Sequence, residues 1–166
     1  MKSFIYVVFI LTAFAISVAA QTQNPVKTVV NNLSEDDLIR EIVFKKILEP
    51  FCLKPNKNLK VCYLSVDGGQ DPSKDLLKKF SNYKVSVKKS SDLIVSVENG
   101  DIMLNENSKE QGVLFTVSKL EWKSKIEVKV SAVSYIGNMG GNGCDYTLKK
   151  ENSKWRILST EKCYVS

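Results

Sequence analysis

The chain has 166 residues, four cysteines, no histidine and a net charge of +6. The missing histidine excludes Ser-His-Asp and Cys-His nucleophiles, HExxH zinc helices and an imidazole base near neutral pH. The 24 basic residues are scattered, with side-by-side pairs only at 45–46, 78–79, 88–89 and 149–150, so they read as solvated faces rather than a nucleic-acid-binding surface.

Met1-Lys2, an apolar run over 4–16 and small residues 17–20 before Gln21 have the order of a secretory signal peptide cut after Ala20. The apolar stretch is at the short end for a bilayer span, and no positive flank follows it. No stable membrane span is therefore expected after cleavage. The expected organisation is a signal peptide over 1–20, a flexible leader over 21–33 and one domain over 34–166. The 146 residues left after cleavage carry a net charge of +5, because Lys2 is the only charge lost. A chain of that length buries roughly 68% of its unfolded surface around one core.

Ser34 is placed to cap a helix, and Glu35, Asp36 and Asp37 put negative charge on its first turn. Leu38, Ile39, Ile42, Val43, Ile47 and Phe51 recur at three- and four-residue spacing, and Pro50 is expected to end the helix. Leu59–Val66 reads as a strand closed by Asp67-Gly-Gly. A short second helix follows, with Asp71 as its cap and Pro72 in its first turn. The period then changes to two, giving strands over 84–88, 92–97, 101–104, 112–120, 125–135, 144–149 and 154–165. Ile126, Val128, Val130 and Ala132 alternate with Lys125, Glu127, Lys129 and Ser131, as on an antiparallel strand with one wet face.

Helices followed by a run of strands define an α+β class: an N-terminal helix and a short second helix packed on a curved antiparallel sheet. That arrangement is loosely similar to nuclear-transport-factor-like and cystatin-like folds.

In an oxidising compartment Cys52, Cys62, Cys144 and Cys163 are expected to form two disulfides. A hairpin with its loop at 150–153 and Lys149 opposite Lys154 would put Cys144 opposite Ser159. Cys163 would then lie about 13 Å further along the strand. Bridged Cα atoms lie within about 7 Å, so this register excludes Cys144–Cys163 and, with all four paired, Cys52–Cys62. The two remaining connectivities close long loops, each stabilising by about 4–5 kcal/mol if chain entropy dominates.

Gly137-Asn138-Met139-Gly140-Gly141-Asn142-Gly143 joins two strands, opens no helix and lacks the Lys-Ser/Thr of a phosphate loop. It reads as an exposed hairpin tip and the first place to look for a partner-binding loop. Asp67 and Asp71 read as a turn residue and a cap rather than calcium ligands. The spacing of Asp92, Glu98, Asp101 and Glu110 brings no carboxylate pair together. Trp122, Trp155, Tyr135 and Tyr146 read as core and cross-strand residues. No catalytic residue, metal ligand or cofactor site is assigned.

Three stretches, 61–66 with 71–80, 112–122 and 146–166, together resemble small secreted bacterial proteins of unknown function. The resemblance implies an extracytoplasmic origin and carries over no site residue. The expectation is a secreted or periplasmic, non-catalytic binding domain for an unknown protein or small ligand. The rival readings are a pocket protein (a ligand carrier, or an enzyme working through Asp92 or Asp145) and an inhibitor of a foreign hydrolase acting through the 137–143 loop.

Overall fold

The computed structural model describes residues 33–53, 59–93, 96–98, 101–103, 111–137 and 140–165. The expected signal peptide over 1–20, the expected leader as far as 32, and Leu104, Glu110, Asn138 and Met139 lie outside them.

Helix α1 spans Glu35–Leu48. The Ser34 hydroxyl accepts from the Asp37 backbone N–H at 3.1 Å, satisfying one of the donors that a helix start leaves open. Ile39, Val43, Phe44 and Leu48 are wholly buried and form the stripe that faces the sheet. The α-helix ends two residues before Pro50, but the chain keeps winding as a wider π turn over Glu49–Leu53. Proline cannot continue the tighter ladder, since it lacks an N–H and its ring meets the carbonyl one turn back. The wider turn carries Phe51 and Cys52 onward over the sheet.

Strand β1, Leu59–Val66, is buried on both faces except at Lys60. Helix α2, Lys74–Lys78, is capped by Ser73, whose hydroxyl accepts from Leu76 N–H at 3.1 Å. Asp71, expected in that role, reaches instead to a 3-10 turn at Ser90–Asp92. The remaining strands are β2 Ser86–Lys89, β3 Ser96–Glu98, β4 Asp101–Met103, β5 Gln111–Val117, β6 Glu121–Ser124, β7 Glu127–Tyr135, β8 Gly141–Glu151 and β9 Lys154–Val165. β3 and β4 form a separate antiparallel pair.

The other seven strands make one sheet in the order β2-β1-β5-β7-β8-β9, with β6 paired to β7 beside that path. The α+β class holds, but the sheet is mixed rather than wholly antiparallel. β1 runs parallel to both β2 and β5. The connection from β1 to β2 is a crossover through α2, which returns the chain in its original direction. The near-continuous apolar run Val61-Cys-Tyr-Leu64 is the pattern of a strand covered on both sides.

β5 and β6 behave as one bent strand opposite β7. Ser118 bridges the bend, its N–H donating to Ser131 O at 2.9 Å and its hydroxyl accepting from Ser131 N at 3.0 Å. α1 covers the face lined by Val113, Phe115, Val117, Val128, Val130, Tyr146 and Leu148. Val61 and Tyr63 pack with Leu93 and Leu114 in a small second cluster. No helix among the described residues is long and apolar enough to cross a membrane.

The disulfides are Cys52–Cys62 and Cys144–Cys163, the pairing that the expected hairpin register excluded. Three local features account for the difference. The turn is two residues, Asn152-Ser153, both at positive φ (49° and 63°), so Glu151 rather than Lys149 faces Lys154. A bulge at Leu158 shifts the register by one more residue, because Leu148 pairs with Ile157 and Thr147 with Ser159. A second bulge sets Lys162 and Cys163 against Cys144 alone, with Lys162 at φ 48°. These shifts move Cys163 from four residues past its expected position to beside Cys144, with Cα atoms 4.2 Å apart. Cys52 reaches Cys62 because the π turn carries it over β1, where both are fully buried. Closing these shorter loops stabilises by about 3 kcal/mol each if chain entropy dominates.

A candidate binding cleft at the end of the long helix

The positions of β7 that face α1 shorten along the strand, from Val128 and Val130 to Ala132 and Ser134. On β8 the matching face runs Leu148, Tyr146, Cys144, Asn142, again ending in smaller or polar side chains. The space under the helix therefore widens toward its C-terminal end. There it forms an open cleft of about 250 Å³ with a largely apolar lining. Ile47, Pro50 and Phe51 supply one wall, and Ala132, Ser134 and Tyr146 lie on the sheet side. Phe51 is steadied edge-to-face on Phe115, with ring centres 5.3 Å apart and planes at 70°.

Charge and polarity are confined to a few points of the lining. Lys46 and Glu49 contribute from the helix end, and Asn142 from the start of β8. The Ser134 hydroxyl lies 3.5 Å from the Asn142 carbonyl oxygen. Burial pushes the Tyr146 phenol up from its usual value, so it is neutral and a hydrogen-bonding group at physiological pH. An apolar hollow with a few placed polar groups can hold an apolar group and orient it.

The glycine-rich segment borders this cleft but is not all loop. Gly141, Asn142 and Gly143 belong to β8 and pair with Tyr135, Ser134 and Val133. The tip is restricted to 136–140, where Ile136 N–H donates to Gly140 O at 2.9 Å and Gly140 N–H to Gly137 O at 3.1 Å. Two of the glycines answer to close approach. A Cβ on Gly141 would stand 2.3 Å from the Ser134 carbonyl oxygen, and one on Gly143 would meet the Tyr164 ring at 2.5 Å.

The acidic candidates are dispersed. Asp67 is held by Arg40, and Asp71 by Ser90, Ser91 and Lys89. Asp92 is exposed, 3.8 Å from Lys89. Asp145 lies on the sheet face away from α1, accepting from the Ser131 hydroxyl with Lys162 at 3.9 Å. Glu98 and Asp101 are partner positions in the backbone register of β3 and β4. Among the described residues no group of three acidic or cysteine side chains could share a metal ion. Trp155 and Tyr146 are core residues as read, whereas Trp122 and Tyr135 are about 40% exposed, at 41% and 39%.

The site was only partly legible in the sequence: Asn142 and Gly143 fall in the glycine-rich segment, whereas its helix-end and β7 residues belong to no motif. Its signal was the shrinking series at 128, 130, 132 and 134, read only as alternation. Fold and cleft together define a disulfide-bonded α+β domain with an apolar recess at the end of its long helix. No protein-family model, curated protein or solved structure matches the chain.

Proposed function

We propose that this protein is a secreted or periplasmic, non-catalytic binding domain that receives an apolar group of a partner in the cleft between the end of α1 and strands β7 and β8. The order of residues 1–20 and the resemblance to small secreted bacterial proteins support the extracytoplasmic setting. The two disulfides are consistent with an oxidising compartment.

The observation that carries the binding reading is the cleft itself: apolar, preformed and open at about 250 Å³. Sites that enclose a whole small ligand run from roughly 300 to 1,000 Å³, so this one suits a single large side chain better than a carried metabolite. Pockets that accept one aromatic or aliphatic anchor are where protein interfaces concentrate their affinity. The neighbouring 137–143 segment would lie at the rim of such an interface. The enzyme reading has less support, because Asp145 faces away from the cleft and Asp92 does not line it.

Titration with indole and with p-cresol, read by amide chemical shifts, tests the proposal. Saturable shifts are expected at 46–51, 132–134 and 142–146, and they should vanish in Ala132→Leu, which fills the cleft. Shifts that fail to saturate, or that centre elsewhere, would overturn it.

A further inference from the structure

The two disulfides differ in a way that bears on the cleft. Cys52 and Cys62 are both 0% exposed, inside the core beneath α1. Cys163 is exposed and lies on β9, the terminal strand of the sheet, with no neighbouring strand on its outer side among the described residues. Cys144 is half-buried and lines the cleft. The bond therefore connects the solvent-facing edge of the protein to the cleft wall.

Little else holds that end of β9 in place. Beyond the bulge at Lys162, where the side chain stands 3.9 Å from Asp145, the described part of the strand pairs with β8 through Gly143–Tyr164 and Asn142–Val165. Tyr164 and Val165 are 54% and 85% exposed, so they bring little buried surface to the docking. A strand end with two pairs and no core contact frays unless it is tied down.

We infer that Cys144–Cys163 is a thiol–disulfide exchange site, open to a dithiol reductant while the domain stays folded, and that its opening releases residues 162–165 from the cleft wall. A thiolate of the dithiol attacks the sulfur of Cys163, the exposed residue of the pair, and the bond to Cys144 breaks. Cys144 leaves with the electron pair and takes a proton from water. The second thiol of the reductant then closes onto the first, freeing Cys163 as a thiol. The protein gains two electrons and two protons, and the dithiol becomes a cyclic disulfide. Cys52–Cys62 is shielded from the same attack by its burial. The exchange and strand release stand on exposure and register. Their effect on the cleft rests on the proposed binding role.

The test is native-state reduction with dithiothreitol, pulse alkylation and peptide mapping, with amide hydrogen exchange on the same samples. Cys144 and Cys163 should be alkylated at least 100-fold faster than Cys52 and Cys62. Amides of 163–165 should exchange at least tenfold faster after reduction, while those of 62–66 keep their protection. A Cys144→Ser, Cys163→Ser double variant should reproduce that exchange pattern with unchanged circular dichroism. Equal rates at both bonds, first reaction at Cys52–Cys62, or unchanged exchange at 163–165 would each overturn the inference. Indole titration of the alkylated protein reads the cleft separately, so failed binding leaves the rate comparison intact.

Discussion

One guanidinium nitrogen of Arg40 donates to both carboxylate oxygens of Asp67, at 2.9 and 2.8 Å. The contact ties the second turn of α1 to the turn that closes β1. The other terminal nitrogen, Nη1, reaches Asp37 at 3.4 Å, and Asp37 in turn accepts from the Ser73 hydroxyl at 2.7 Å. One cation thus joins both helix starts to the end of the parallel strand. Asp67 stands at φ 50°, a conformation that Asp and Asn adopt more readily than most residues.

That geometry makes the pair asymmetric. The Arg40 side chain is 12% exposed and that of Asp67 27%. Asp67→Asn keeps the backbone preference but leaves a largely buried guanidinium short of its counter-charge, and should cost about 1–3 kcal/mol. Arg40→Met should cost less, since Asp67 can turn to water and the unpartnered Arg40 Nε is removed. Urea denaturation of both variants checks the order, and a larger loss for Arg40→Met would contradict it.

Asp71 gives a prediction in pH. Hydrogen bonds from the Ser91 hydroxyl and backbone N–H, with Ser90 and Lys89 adding to them, lower its carboxyl to about 2 from 3.8. A depressed folded value means that its contribution is present above pH 3.8 and is lost as pH falls toward 2. In acid titrations of stability, Asp71→Asn should lower the plateau above pH 5 without changing its slope, and flatten the fall between pH 4 and 2. Side-chain carbon shifts would show the low midpoint directly. A midpoint near 4 would mean that Asp71 does not hold the 90–92 turn.

Two glycines at the start of β8, Gly141 and Gly143, look alike in sequence but should respond differently. Gly141→Ala places a methyl group against the backbone oxygen of Ser134, so a strand must move, at about 1–3 kcal/mol. Gly143→Ala meets only the far end of the Tyr164 side chain, which is 54% exposed and can swing away. Its cost should stay under about 1 kcal/mol. Thermal melts of the two variants measure the difference, and equal losses would contradict the strand register at 141–143.

Much of the architecture is written locally. The Ser34 cap, the acidic first turn and the spacing of Leu38, Ile39, Ile42, Val43, Ile47 and Phe51 announce α1, and Leu59–Val66 announces β1 to the residue. The wholly buried stripe of the helix also takes in Phe44 and Leu48, while Ile42, Ile47 and Phe51 are only partly buried. The parallel arrangement of β2, β1 and β5 is not local. It depends on which strands meet after a crossover, and no short window encodes that. β6 was hidden because Trp122 and its neighbours are exposed and carry no alternation. The hairpin register was lost at Asn152, Ser153 and Lys162, which take positive φ without a glycine to mark them. The cleft was hidden for a related reason: it is made by side chains that are small, and an alternating pattern records polarity rather than size.

The register of β8 against β9 underlies the position of Tyr164 over Gly143 and the exposed disulfide together. Mass mapping of a non-reduced proteolytic digest tests it most directly. A Cys52–Cys62 peptide and a Cys144–Cys163 peptide are the expected products. A peptide joining Cys52 or Cys62 to Cys144 or Cys163 would contradict the two bulges, and with them the exchange site at the edge of the sheet.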